Sequence, residues 1–169
     1  NNGYKIKGRP KEETVLFYTF WTDEDFMETY RFELAVGGSR FLSEEFSSDS
    51  AACLVNEEAI RRYALEDPLE QSILQGMDDG GDEMRIIGVI KDHHFLTLKQ
   101  EVGPQIILLK RRGWDWAGYL TVRFAPGREN IEAALAHMEE QWELFAGEEP
   151  FQYFFLDDEL ETYYAEEKR

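Results

Sequence analysis

Residues Tyr119 to Leu156 read YLTVRFAPGRENIEAALAHMEEQWELFAGEEPFQYFFL. The centre of this stretch repeats apolar residues at steps of three and four: Ile131, Ala134, Leu135, Met138, Trp142 and Phe145. That spacing draws one stripe along a helix. Pro126-Gly127 opens the helix and Gly147 to Pro150 closes it. On its two sides, Tyr119 to Phe124 alternates and Phe151 to Leu156 is aromatic, so both predict strands. A strand-helix-strand unit with a right-handed crossover would lay its two strands in one sheet.

Working outward, Asp157-Asp158 is expected to cap a last helix carrying Leu156, Leu160, Tyr163 and Tyr164 at helical spacing. No Gly, Asn or Pro follows Tyr164, so that helix is expected to run on past Arg169. Upstream, Thr14 to Trp21, Arg31 to Val36, Cys53 to Val55, Met84 to Ile90 and Gln105 to Lys110 read as strands. Asp23-Glu24-Asp25 opens a short helix through Tyr30, and Asn56 is the expected N-cap of a helix over Glu57 to Ala64. Asp67-Pro68 ends that helix. Residues Asn1 to Glu13 are polar, with Gly3, Gly8 and Pro10, and are expected to form a flexible lead-in. Phe41 to Ser50 reads as irregular, Met77 to Asp82 as a turn or hairpin tip, and Trp114 to Gly118 as a turn.

The 169 residues suit one domain with two lobes. With 43% hydrophobic and 14% aromatic residues, the chain can pack a core. Its net charge of -17 repels nucleic-acid phosphates and anionic headgroups, so nucleic acid is excluded as a partner of the bulk surface. Acids are spread along the whole chain and Arg outnumbers Lys, a composition that also suits a high-salt habitat. The single cysteine, Cys53, permits no internal disulfide and reads as a small buried hydrophobe. No apolar run of about 18 residues is present.

Candidate chemistry starts at Asp92-His93-His94. Two histidines and an acid could ligate zinc, but such sites need three or four ligands and adjacent residues point apart. His137 falls off the apolar stripe of the long helix. The favoured reading is a turn after the strand Met84 to Ile90, with no metal. Of the acidic groups Asp23-Glu24-Asp25, Asp78-Asp79 and Asp157-Asp158-Glu159, the middle one lacks the alternating ligand spacing and closing Glu of a calcium loop, and Asp157 and Asp158 have a sufficient reason as helix caps. Gly37-Gly38-Ser39-Arg40 lacks the lysine of a phosphate loop, and no Gly-x-Ser-x-Gly is present. No catalytic residue is assigned. Trp114 and Trp116 flank a turn, where exposed rings would offer a docking surface; a free-standing binding module using them is the alternative reading.

Several segments taken in order carry a family resemblance: Phe26-x-x-x-Tyr30, Ser39-Arg40-Phe41-x-Ser43, Val55-Asn56-Glu57, Asp67-Pro68-Leu69, and Ile86-Ile87-Gly88-Val89-Ile90-Lys91-Asp92-His93-His94-Phe95. Pro104, Pro150-Phe151-x-Tyr153-x-Phe155-Leu156-Asp157 and Tyr164-x-x-Glu167 complete the set. Together they resemble the periplasmic core domain of MacB/FtsX-like ABC transporter permeases, in particular the second such domain of the long two-domain permeases. The resemblance spans about Thr14 to Arg169.

It implies an α+β fold: a MacB-like core with a porter-like strand-helix-strand lobe (residues 14–30 and 117–156), a mostly β inserted lobe (about 31–116), and a helix over 157–169 leading to a transmembrane span. The domain would lie on the periplasmic side of the inner membrane and act without catalysis or a cofactor of its own. ATP would be bound by a separate cytoplasmic ABC ATPase. Its hydrolysis would be coupled by movement to export, extraction or signalling. The implied partners are the protein's own transmembrane helices, a companion permease domain, that ATPase, a second copy in a dimer, and a substrate or protein that the residues do not identify. Asp157, Leu160, Tyr163 and Tyr164 would sit on the helix that transmits the motion. The resemblance makes Asp92, His93, His94, Asn56 and Glu57 structural.

Overall fold

A computed structural model describes residues 2–10, 12–37, 51–76, 82–94, 101–109 and 118–158. The chain divides into two compact units, Asn1–Leu120 and Thr121–Arg169.

Among the described residues, the first unit has seven strands: β1 (Asn2–Ile6), β2 (Val15–Thr22), β3 (Leu34–Val36), β4 (Ala51–Asn56), β5 (Ser72–Gln75), β6 (Asp82–Ile90) and β7 (Gln105–Leu109). Their order is β3-β6-β4-β7-β2-β1-β5, and β5 also pairs with β6. That last pairing closes six strands into a barrel. One edge of β6 is shared, with β5 on its first half, from Asp82 to Arg85, and β3 on its end, at Val89 and Ile90. Two pairings are parallel, β2 with β7 and β4 with β6; the others are antiparallel.

The strand residues sort by face with the two-residue period of a pleated strand. Tyr4, Ile6, Val15, Phe17, Cys53, Val55, Ile73, Met84, Ile86, Val89, Ile106 and Leu108 belong to one buried cluster, the barrel interior. Ala52, Leu54, Ile87, Ile90 and Ile107 belong to a second cluster on the outer face. Strands β4, β6 and β7 are therefore apolar on both faces, and this is why they read as near-continuous apolar runs. In β6 the inward set changes parity, from Met84 and Ile86 to Val89. A register shift opposite Cys53 and Leu54 accounts for it, one residue of β6 being unpaired there. Gly88 stands at this irregularity. A Cβ on it would lie 2.9 Å from Leu54 Cδ2 and 3.0 Å from Leu34 Cδ2.

Among the described residues, two short α-helices pack on the barrel. α1 (Phe26–Tyr30) lays Met27 and Phe26 on the outer cluster. Arg31 then turns left-handed (φ 56°), and the Phe32 N–H returns to the Met27 carbonyl, folding Phe32 back onto Phe26 and Tyr30. α2 (Glu57–Tyr63) packs Ala59, Ile60 and Tyr63 against the interior cluster. Ala64 repeats the left-handed turn (φ 44°) and delivers Leu65 to the core.

Three expectations change here. Asn1 to Glu13 is not only a lead-in, because Asn2–Ile6 forms β1 between β2 and β5, with Tyr4 and Ile6 buried. The polar look arises because alternate residues of a half-buried strand face water. The strand Ser72–Gln75 was not anticipated either; four residues give too short a run to signal by themselves. β2 and α1, expected with residues 117–156, lie in the first unit, β2 pairing with β1 and β7 inside the barrel.

In the second unit, α3 (Arg128–Ala146) is the expected long helix. Gly127 (φ 125°) precedes it and accepts from the N–H groups of Asn130 and Ile131. Ile131, Ala134, Leu135 and Met138 are half-buried, and no residue of α3 is fully buried. The flanking stretches Tyr119 to Phe124 and Phe151 to Leu156 are not strands; residues 119–125 and 151–155 carry no regular structure and residues 156–158 are helical. Alternation supplies a strand with a face but not with the neighbour whose backbone groups it must pair. Helical residues begin at Leu156, so Asp157 and Asp158 lie inside the first turn instead of capping it.

Candidate functional site

The motif Asp92-His93-His94 meets Asn56-Glu57 where β6, β4 and α2 converge. β4 and β6 run parallel with Asn56 opposite Ile90, so both strands end at the same rim of the barrel. Asn56 is fully buried and its amide is saturated. Its Oδ1 accepts from Ala59 N at 3.1 Å, capping α2, and from Gln105 N at 2.8 Å. Its Nδ2 donates to Asp92 Oδ1 at 2.9 Å and to the Gly103 carbonyl at 3.0 Å. One side chain thus ties the end of β4 to the start of α2, to the stretch just after β6 and to the residues that open β7.

Asp92 is used just as fully. Oδ1 also accepts from Glu58 N at 2.9 Å, Oδ2 accepts from the Arg61 guanidinium, and the Asp92 N–H donates to Glu57 Oε2 at 3.0 Å. Arg61 bridges Asp92 and Glu58, and that pairing holds its guanidinium above its ordinary pKa, Asp92 contributing most. A carboxylate at the first turn of α2 also faces the favourable end of the helix dipole. The side-chain atoms of Asn56 and Asp92 are fully engaged, while the buried Gln105 Oε1 beside them has no hydrogen-bond partner among the described residues. A donor set so occupied holds a fold together.

The histidines do not join it as ligands. His93 packs its ring, tilted by 38°, against Phe32 with centroids 4.1 Å apart, and its burial lowers its pKa. His94 is exposed and His137 lies on α3, in the other unit. Among the described residues, no group of three His, Cys, Asp or Glu is placed to hold a metal ion. Cys53 is fully buried in the barrel interior, and desolvation pushes its thiol pKa far up, which keeps it a protonated hydrophobe.

The other sequence candidates fall as follows. Asp23 Oδ1 accepts from Asp25 N ahead of α1. Trp114, Trp116, Asp78, Asp79, Leu160, Tyr163 and Tyr164 lie outside the described residues, as do 38–50 and 77–81. An open hollow of about 290 Å³ lies beside Lys7, Gly8 and Arg9. Its cations are engaged: Lys7 with Glu83 at 2.7 Å, and Arg9 with Glu13 at 2.8 Å and with the carbonyl of Tyr63.

Sequence reading identified Asn56 as a cap but missed its reach to Asp92, Gly103 and Gln105. A cap is a local signal, three residues long. The other bonds span 36, 47 and 49 positions and need the barrel to bring them together.

No protein-family model and no curated protein sequence matches the chain. Solved structures do. A domain of a proposed permease from Porphyromonas gingivalis is similar at a TM-score of 0.55 and 18% identity, over 94% of this chain and 76% of that one. The periplasmic region of MacB from Actinobacillus actinomycetemcomitans is similar at a TM-score of 0.57 and 14% identity, over 96% of this chain and 71% of that one. The chain therefore has the mixed α/β fold of a MacB periplasmic region.

Proposed function

We propose that this chain is an extracytoplasmic domain of a MacB/FtsX-like ABC transporter permease. The observation that carries the reading is the fold likeness to two permease-type domains over 94% and 96% of the chain. The order of the motifs from Phe26 to Tyr164 supports it independently of any coordinate. The domain works by movement: its polar junction is spent on holding strands together, and its cysteine is buried. In the finer form of the reading it is the second such domain of a two-domain permease. ATP would be hydrolysed by a separate cytoplasmic ATPase. The helix carrying Asp157, Leu160, Tyr163 and Tyr164 would pass motion to a transmembrane span, in a dimer or with a companion domain.

The test is topology in intact cells. Glu66 is exposed just after α2, while Cys53 is inaccessible. A full-length protein carrying Glu66→Cys, with other surface cysteines replaced, should react with a membrane-impermeant maleimide without permeabilisation. Labelling only after the membrane is opened would place the domain inside the cell and end the proposal. The transmission step predicts in addition that ATP changes the labelling rate of a cysteine placed at Tyr163; a rate indifferent to ATP removes that step alone.

A further inference from the structure

The last turns of α3 and the stretch after it expose large apolar side chains. Phe145 is 86% exposed, Leu144 71%, Tyr153 54%, Leu156 53% and Trp142 39%. Phe145 follows Met138 by seven residues and Trp142 by three, so it continues the same stripe whose earlier members are half-buried. Trp142 ties the helix to the segment beyond its C-terminus. Its ring meets Phe151 at 6.2 Å, its Nε1 donates to the Glu149 carbonyl at 2.8 Å, and Phe151 meets Tyr153 at 5.6 Å. These contacts give the exposed side chains a defined backbone.

The charge around them is of one sign. From Glu129 to Asp158 the sequence contains no Lys and no Arg, against acids at 129, 132, 139, 140, 143, 148, 149, 157 and 158. Arg128 is already paired with Glu132. An anionic lipid surface or a nucleic acid would be repelled, and a second copy of this face would meet its own charge. A segment with aliphatic side chains on one side and Lys or Arg flanking them satisfies both the apolar and the electrostatic demand.

We propose that the apolar face formed by Trp142, Phe145 and Tyr153 is a docking site for a basic amphipathic segment of a partner protein. The inference stands on exposure and charge and does not depend on the transporter reading.

The probe is a synthetic peptide of leucine and lysine at helical spacing, titrated into the purified chain by calorimetry. Saturable one-to-one binding is expected, weakening as salt is raised. The double variant Phe145→Ser, Tyr153→Ser should lose about tenfold or more in affinity, the scale expected for removing large apolar contacts. Leu16→Ser removes a side chain 52% exposed on β2 and should bind as the parent does. Circular dichroism on both variants checks that α3 persists. Equal binding by the double variant, or equal loss in Leu16→Ser, would overturn the proposal by showing attraction to net charge alone. A concentration-dependent dimer abolished by Phe145→Ser would overturn it in favour of a second copy. In the full-length protein, Phe145→Cys should react with a thiol reagent and be protected by the peptide. Protection without peptide would show that the protein's own chain covers this face, which also overturns it.

Discussion

Replacing Asn56 by alanine tests whether one buried amide organises the rim of the barrel. The substitution removes the cap on Ala59 N, worth about 1 kcal/mol. It also leaves the N–H of Gln105 and the carbonyl of Gly103, both buried, without the bonds of 2.8 and 3.0 Å that they make to Asn56. Each stranded buried group costs about 1–3 kcal/mol. Asp92 loses less, because Glu58 N and Arg61 still hold its carboxylate. The sum is about 3–7 kcal/mol, a large share of the 5–15 kcal/mol or so that keeps a domain folded. With a slope of about 2 kcal/mol per molar urea, the midpoint should fall by roughly 1.5–3.5 M. Fluorescence of Trp21, packed against the barrel interior, reports the transition. The near-isosteric Asn56→Asp keeps both acceptor bonds but points an oxygen at Asp92 Oδ1 and the Gly103 carbonyl, so at neutral pH it should be at least as damaging. If Asn56→Ala costs under about 1 kcal/mol with an unchanged slope, the residue is an ordinary surface-type cap and the reasoning fails.

Three further outcomes are expected. Burial holds the pKa of His93 below its ordinary value of 6.5, so the unfolded chain takes up a proton that the folded one resists. Its contribution is present above about pH 6.5 and is lost as pH falls below that value; urea midpoints from pH 7.5 to 5.5 should decline less in His93→Gln than in the parent. Gly88→Ala forces a methyl group against Leu54 and Leu34 at the irregular step of β6, and thermal unfolding should show a loss of about 1–3 kcal/mol. If its melting temperature matches the parent, the neighbours yield freely and the close approach has no energetic weight. The Cys53 thiol should be inert to a chromogenic disulfide reagent in the native chain and react fully in denaturant; a fast native reaction would contradict its burial.

The positions of α2, α3, β4, β6 and β7 were legible in the residues, because each carries its own periodicity or an unbroken apolar run. Composition set the acidity, and the motifs set the family resemblance. The cap at Asn56 was legible too, as a residue type beside a helix start. What could not be read was pairing. Nothing local distinguishes Asn2–Ile6, which found β2 and β5, from Tyr119 to Phe124, which alternates as well and carries no strand. A strand is completed by a neighbour's backbone, often tens of residues away, and its own side chains supply only the face it presents. The same reason places the bonds of Asn56 to Gly103 and Gln105, the closure of β5 on β6 and the burial of His93 against Phe32 with the tertiary structure. The stretch from Tyr119 to Leu156 shows both sides of this. Its helix follows from 3.6-residue periodicity alone, since helical hydrogen bonds close within four residues. Its strands had no such local closure, and the tertiary structure left them unformed.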